Sequence, residues 1–354
     1  MAKKIQILGA GLSGMIAAID LSRHDYEVTI LEGAPGIGGL GNFHPSTHGT
    51  PIDGPAAWKY IGLDLSSCFV PPKAFRCYLG KRGFDLDPEG LFLVERGPRE
   101  SSIDHLLYRE AQKVGVKFEF SQVIRKHRDL PPGSIIATGL FPELYEELGV
   151  PKLQAFGWAT RMEMQRPPEL VAYFDNYIGD YYYSAVVNGI FFGMLFQRSP
   201  VPREIMERCR DFLREREGLE SPDWFYATNY VPVIDPDNPR LFAGDKILAG
   251  TIAGMMDPVF LFGINGAVLS GRIAARAVYE RDEAIKDFKH YTRNFRLNHR
   301  ARKWGEKMPP QLRMLWGRLF LALPEFIRRA LVPTSKIGIP GIKEFPSCRV
   351  IKKI

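Results

Sequence analysis

Apolar and polar positions change period several times along this chain, and each change predicts an element. Residues 5–8 form a short apolar strand that runs into G-A-G-L-S-G. The run M-I-A-A-I-D-L then continues as a helix, and a second apolar strand over 28–31 ends at Glu32. In R-E-S-S-I-D-H-L-L-Y-R-E-A-Q-K-V-G, Ile103, Leu106, Leu107 and Ala111 keep helical spacing. Ser101 or Ser102 can cap that helix and Gly115 stops it before a strand over 116–120. P-P-G-S-I-I-A-T-G-L supplies a further buried strand over 134–137. Short strands with turns at Pro71-Pro72 and Asp87-Pro88-Glu89-Gly90 are predicted over 66–94. From 155 to 233 the aromatic-rich runs F-G-W-A-T-R-M-E-M, E-L-V-A-Y-F, D-Y-Y-Y-S-A-V-V and G-I-F-F-G-M-L-F predict an antiparallel sheet, with a helix over 203–217. K-I-L-A then gives a strand, followed by a glycine-punctuated loop and a small-residue helix from about residue 265.

The opening strand, glycine turn, helix, strand and acid form a dinucleotide-binding βαβ unit. Gly9 allows the tight turn, Gly11 lets a pyrophosphate approach the backbone, and Gly14 lets helix and strand pack closely. Free amides at the helix start and the positive end of its dipole face the phosphates. Glu32 is placed to accept from ribose hydroxyls, which favours FAD or NAD over a 2′-phosphorylated cofactor.

At 354 residues, two joined domains are expected. A hydrophobic share of 45% against 25% charged describes a folded chain and excludes a disordered one. Cys68, Cys77, Cys209 and Cys348 show neither C-x-x-C pairing nor metal spacing, so isolated thiols, no metal and a reducing cytoplasm are expected. The N-terminus offers no stretch long enough for a secretory h-region, and no apolar run reaches the roughly 20 residues of a membrane span. The net charge of +7 is uneven. Residues 285–354 carry 17 Lys/Arg and 4 Asp/Glu, a balance of +13, which leaves −6 for the rest. Within that tail, L-R-M-L-W-G-R-L-F-L-A-L-P-E-F-I-R-R-A-L-V-P predicts an amphipathic helix, lying either on anionic lipid or on the protein's own core. No nucleic-acid-binding module accompanies the charge.

Taken together, G-A-G-L-S-G with Glu32, A-T-G at 137–139, and G-T-I-A-G-M-M-D-P-x-x-x-x-G-I-N-x-A-x-x-S-G-R-x-A-A resemble the FAD-dependent oxidoreductases of the geranylgeranyl reductase and aromatic hydroxylase superfamily. The resemblance implies an α/β fold with a doubly wound, Rossmann-like FAD-binding domain discontinuous in sequence (1–65, 95–140 and 240–284). It further implies an inserted antiparallel β-sheet substrate domain (66–94 and 141–239) and a basic helical C-terminal region (285–354). Cofactor contacts are expected from Gly9, Gly11, Ser13, Gly14 and Glu32, and from Gly38 and Gly39 in the glycine-rich loop. Arg99 at the head of the R-E-S-S-I-D-H-L-L helix, Val123, and Ala137, Thr138 and Gly139 are expected to join them. Gly250, Thr251, Asp257, Gly263, Ile264 and Asn265 complete the set, with the helix start at Gly263–Asn265 facing the flavin N1/O2 edge. Where the family carries a ribityl-binding acid this chain has Thr251, a weaker hydrogen-bonding partner. Where prenyl reductases carry G-Y-x-W-x-F-P, it has I-G-D-Y-Y-Y-S-A.

The function expected is a reductase or desaturase acting on carbon–carbon double bonds of an apolar substrate, for which an isoprenoid lipid is the family example, by hydride transfer through flavin N5. One alternative is an aromatic monooxygenase using NAD(P)H and O₂; another is a non-catalytic FAD protein with a structural role. With a single dinucleotide fingerprint, electrons are expected from transiently bound NAD(P)H or a ferredoxin-like carrier docked on the basic tail. The tail could equally place the protein on the inner face of the membrane. Tyr182 is the candidate proton donor, its plainer reading being a core tyrosine. Trp158, Tyr181, Tyr183, Phe191 and Met256 are the candidate substrate pocket. His44 and His48 either line the flavin's far side or are surface-loop histidines, and Cys77 is a weaker candidate for a redox thiol.

Overall fold

The computed structural model describes residues 3–39, 43–221, 223–232, 239–258, 260–293, 295–323 and 349–354. β1 (Lys3–Leu8), α1 (Leu12–Arg23) and β2 (Tyr26–Leu31) form the opening parallel unit, with Ile7 and Leu8 facing Ile30 and Leu31 in register. β3 (Ser46–Pro51), α2 (Gly54–Ile61), β4 (Ala74–Leu79), β5 (Arg82–Leu86) and β6 (Leu91–Arg96) follow. α3 (Ile103–Lys113) starts where Ser102 Oγ accepts from the His105 N–H at 3.1 Å. β7 (Lys117–Glu119), β8 (Ile135–Ile136) and α4 (Pro142–Glu147) lead to β9 (Lys152–Glu163), β10 (Glu169–Phe174), β11 (Tyr181–Val187) and β12 (Ile190–Gln197). α5 (Arg203–Glu217), β13 (Trp224–Pro232), β14 (Phe242–Ala243), β15 (Lys246–Leu248) and α6 (Ile264–Tyr279) come next, and β16 (Val350–Lys353) is the last strand.

One sheet runs β14-β15-β8-β1-β2-β7, parallel throughout except at β14. Its strand order reverses at β1, with β2 on one side and β8 on the other, which opens a crevice at the carboxyl ends of these strands. The second sheet, β13-β9-β12-β11-β10-β4-β5-β16, is antiparallel except where β10 meets β4. Segments predicted on either side of the second cofactor-binding stretch, 95–140, therefore meet in one sheet. β3 and β6 pair into a separate ribbon, and Thr47 donates to the Ala185 carbonyl at 2.6 Å, which fastens that ribbon to β11.

Successive side chains of the large sheet take opposite faces, as the pleat requires. Tyr78, Val171, Tyr173, Tyr182, Phe191 and Leu195 pack against Met206, Cys209 and Leu213 of α5. The other face looks toward the first sheet.

The tail forms α7 (Arg281–Thr292), α8 (Phe295–Lys307) and α9 (Pro310–Ala322). It is not wholly helical: β16 (Val350–Lys353) returns to pair with β5, with Val350 opposite Leu86. Residues 324–333 of the predicted amphipathic stretch lie outside the described residues. Among the described residues no helix is long and apolar enough to cross a membrane.

Candidate active site

A continuous cavity of about 1120 Å³ lies between the two sheets, reaching from the glycine turn to the face of the large sheet opposite α5. Sites for one drug-sized ligand run from roughly 300 to 1,000 Å³, so this space is at the upper end of what one large ligand fills. At its cofactor end lie Gly9, Gly11, Glu32, Gly39, Val123, Ala137, Thr138 and Gly139, all predicted, together with Thr251, Gly263 and Ile264 from across the crevice.

The turn after β1 needs its glycines for specific reasons. Gly9 has φ +105, and a Cβ there would lie 2.6 Å from the Ala137 carbonyl oxygen. A Cβ on Gly14 would fall 2.0 Å from the Gly9 oxygen, so α1 can approach β1 this closely only without it. Gly11 caps α1, with no side chain satisfying the first amides and no acid in the first turn. These are the conditions in which a helix start takes a phosphate. Glu32 holds the turn by accepting from the Ala10 N–H at 2.7 Å and from the Ala34 N–H at 2.8 Å, one bond to each oxygen. Each carboxylate oxygen keeps acceptor capacity toward the cavity. Thr138 Oγ1 is buried with no protein partner in this wall. Across the crevice, Gly263 caps α6, also without a side-chain bond or an acid in the first turn. Two uncapped helix starts, a bare glycine turn, an acid and an orphaned hydroxyl on one cavity fit a dinucleotide such as FAD.

Other predicted residues sit behind this wall. Ser13, Gly14 and Gly250 pack α1 against the short 3₁₀ turn Gly250–Ala253, where a Cβ on Gly250 would meet Ser13 Oγ at 2.6 Å. Gly38 lies against Gly97. Arg99 does not line the cavity: it pairs with Glu95 at 3.3 Å and donates to the Asn188 carbonyl at 3.2 Å, tying the start of α3 to the β11–β12 turn. Asp257 accepts from the Phe260 N–H at 2.5 Å and so shapes the loop through Phe262 instead of facing the cavity. Asn265 is buried, donating to the Pro51 carbonyl at 3.3 Å and accepting from the Gly266 N–H at 2.7 Å, which fastens α6 to the end of β3.

The far wall is apolar. Phe75, Cys77, Leu170, Ala172, Tyr181 and Tyr183 line it, with Met194 and Phe196, and Met256 closes one side. The period of two corrects three expectations. Tyr182 lies between Tyr181 and Tyr183, so it must face the other way, and its hydroxyl would touch a Cβ on Gly193 at 2.4 Å. It is fully buried under α5 and cannot donate to a substrate in the cavity. Phe191 shares that α5 face. Trp158 donates to the Val201 carbonyl at 2.9 Å and stacks edge-on against Tyr226, also away from the cavity. Tyr181 remains on the wall, but its hydroxyl is committed to the Phe260 carbonyl at 2.5 Å.

Between the apolar wall and the cofactor end stands a hydrogen-bonded row carried by β3 and β11. His44 Nδ1 and Ser46 Oγ are 3.0 Å apart, Ser46 Oγ and His48 Nε2 2.9 Å, and His48 Nδ1 and the Tyr183 hydroxyl 3.0 Å. All four residues line the cavity. His44 and His48 are thus not surface-loop histidines. Burial, reinforced by the Arg96 charge, pushes His44 down to about 4 and His48 down to about 3, so both imidazoles are neutral near pH 7. Burial pushes the Tyr183 phenol up, so it keeps its proton. Beneath the row, Arg96 and Asp104 form a two-pronged pair at 2.7 and 2.9 Å. Burial pushes the Asp104 carboxyl up, but the Arg96 guanidinium outweighs it and the carboxyl stays ionised. No apolar–polar alternation marks β3, since Ser46, Thr47 and His48 are all polar; the strand pleat alone puts Ser46 and His48 on one face.

Comparison with known proteins agrees with this architecture. A family model described as an NAD(P)-binding Rossmann-like domain matches residues 7–60. Over 141 residues the chain is 30% identical to the flavin-dependent L-tryptophan oxidase RebO of Lentzea aerocolonigenes, covering 38% of this chain and 27% of the oxidase. The match thus spans about a quarter of that relative's length. A geranylgeranyl bacteriochlorophyll reductase-like protein from Thermoplasma acidophilum superposes with a TM-score of 0.67 at 15% identity, over 89% of this chain and 91% of the other. The flavin-dependent brominase Bmp2 gives 0.63 at 14% identity, over 93% and 92%. With its reversed strand order, its antiparallel second sheet and two helix starts facing one cavity, this chain shares the fold of that reductase-like protein and of that flavin-dependent brominase.

Proposed function

We propose that this protein is an FAD-dependent reductase acting on a carbon–carbon double bond of an apolar substrate. The observation that carries this reading is the continuity of one cavity, from the phosphate-type turn at Gly9–Gly11 to a wall of Phe75, Leu170, Phe174 and Phe196. Among the described residues, that wall presents no cationic side chain from the strands of the large sheet, so an apolar chain fits it better than a charged acid. Bound FAD would supply hydride chemistry at N5. Gly9, Gly11 and the start of α1 would hold its pyrophosphate, Glu32 its ribose, and Thr138 and Thr251 would offer hydroxyls to its polar linker.

The chain's own chemical contribution is a proton held at Tyr183 Oη. When His48 Nδ1–H donates to that oxygen, the phenolic proton is free to point into the cavity. Ser46 and His44 can then pass hydrogen bonds along in the same sense. After Tyr183 gives up its proton, His48 replaces it from Nδ1 and recovers one at Nε2 from Ser46; Ser46 takes the His44 Nδ1 proton, and His44 takes a proton from solvent water at Nε2. Neither imidazole need become charged if these transfers are concerted, which suits their burial. NAD(P)H or a small redox protein would supply electrons.

The test is single turnover. Protein loaded with FAD and reduced with dithionite without oxygen is mixed either with a polyprenyl alcohol or with an aromatic phenol plus O₂. Rapid reoxidation by the alkene, with a product two hydrogens heavier, supports the proposal. Reoxidation only with O₂, and hydroxylated phenol, would replace it with the monooxygenase reading.

A further inference from the structure

α9 is apolar on both of its faces. Met314, Gly317 and Leu321 line the cavity, and Met314 packs with Leu79 and Leu86 beneath the helix. On the opposite side Leu312, Leu315, Trp316 and Leu319, at spacings of three and four, are each 46 to 54% exposed. Four large apolar side chains side by side on an outer helix face make more than the scattered exposure usual on a surface, and nothing among the described residues encloses this stripe. α8 extends the same surface: Leu297 is 53% and Trp304 61% exposed, and the Trp304 and Trp316 rings meet edge-on with centroids 6.4 Å apart. Beside the apolar stripe of α8, Arg296, Arg300, Lys303 and Lys307 follow one another at helical spacing, all exposed.

The pair is fixed over the cavity mouth. Arg302 joins Asp180 and, at 2.6 Å, Glu306, while Arg198 reaches Glu306 at 2.7 Å. Arg313 donates to the Gly179 carbonyl and Arg318 to that of Leu79, both at 3.1 Å. The roof is therefore held at its edges by polar contacts, with an apolar cavity below it and an apolar surface above.

We propose that the outer face of α8 and α9 docks on an anionic lipid bilayer, and that a lipid-phase substrate passes beneath α9 into the cavity. Two tryptophans suit the headgroup level, the leucines suit the acyl boundary, and the exposed Arg300, Lys303 and Lys307 match anionic headgroups. Charge complementarity selects lipid over a second copy of the chain, whose same face would bring like charges together. The passage of substrate rests on the apolar-substrate reading above; docking itself does not.

The experiment is co-sedimentation of the full-length protein with vesicles of phosphatidylglycerol and phosphatidylcholine, and with phosphatidylcholine alone, at low and high salt. Binding is expected to anionic vesicles, weakened by salt. The variant W304S/W316S is expected to lose about tenfold or more in partition, and R300E/K303E a similar amount on anionic vesicles with little change on neutral ones. Circular dichroism and the melting temperature establish that each variant is folded. If a variant unfolds, L315S and K307E replace it on the same two stripes. Failure of the wild type to bind, binding unchanged in the folded variants, or a wild-type dimer that W304S/W316S dissociates would overturn docking. The flavin content of the same preparations is read separately. Vesicle binding by a protein that takes up no FAD would leave the surface standing and overturn the proposed function instead.

Discussion

The row His44–Ser46–His48–Tyr183 can hand protons along only if both imidazoles are neutral, and that state has a cost in acid that can be measured. Both histidines titrate near 6.5 when unfolded and well below that in the fold, at about 4 and about 3. Below pH 6.5 the unfolded chain therefore binds more protons than the native one, so stability falls as pH falls, until the folded groups themselves titrate. Between about pH 7 and pH 5.5 the loss depends on the unfolded value alone, because neither folded imidazole titrates there. It comes to roughly 1 kcal/mol for each histidine and about 2 kcal/mol for the pair. An unfolding entropy of about 2.1 cal/mol/K per residue gives roughly 0.7 kcal/mol/K for a chain of this length, so the pair accounts for a fall in Tm of about 3 °C. The assay is thermal unfolding of wild type and H44Q/H48Q at the two pH values, with equal protein concentration and flavin load. The acid-induced fall in the variant should be smaller by about those 3 °C. An equal fall in both proteins, or imidazole NMR signals of His44 and His48 that titrate near 6.5, would refute the neutral row.

Three further outcomes follow from the same geometry. Y183F should slow single-turnover reoxidation by an alkene acceptor by about 10²- to 10⁴-fold, whereas Y182F, changed on the α5 face, should leave that rate unaltered; the reverse order would place the proton donor on the wrong side of the sheet. T138V removes a buried hydroxyl that lacks a protein partner, so thermal unfolding should show the flavin-free protein stabilised by about 1 kcal/mol and titration should show FAD bound severalfold more weakly. G14V places side-chain atoms against the Gly9 carbonyl, where even a Cβ would lie 2.0 Å away; it should cost at least about 1–3 kcal/mol in denaturant unfolding and abolish FAD uptake.

Much of this architecture was legible because each period had a single cause. β8 and the carboxyl ends of β1 and β2 (Ile7, Leu8, Ile30 and Leu31) are buried and read as short apolar runs before a glycine or an acid, while α3 and α5 carry caps or stops at the sequence positions where the helices end. Strands β10 to β12 were legible as strands, but their faces were assigned inconsistently. Placing Tyr181 and Tyr183 on the pocket already required Tyr182 to face away. β3 was missed because S-T-H-G-T-P is polar and glycine-bearing, and its side chains answer to a cavity and a hydrogen-bonded row formed with β11, remote in sequence. β16 was missed for a related reason: its partner β5 lies some 265 residues earlier, and V-I-K-K alone carries little strand signal. Arg99 and Asn265 were assigned to the cofactor from motif position, but nearby carbonyls and a carboxylate engage them first.

The most direct test of the central claim is the cofactor itself. The purified protein, incubated with FAD, freed of excess and then denatured, should show the two visible flavin bands while folded and release close to one FAD per chain. T138V and G14V should release less in that order. A protein that stays colourless after incubation, or that takes up NAD(H) in place of FAD, would contradict the account.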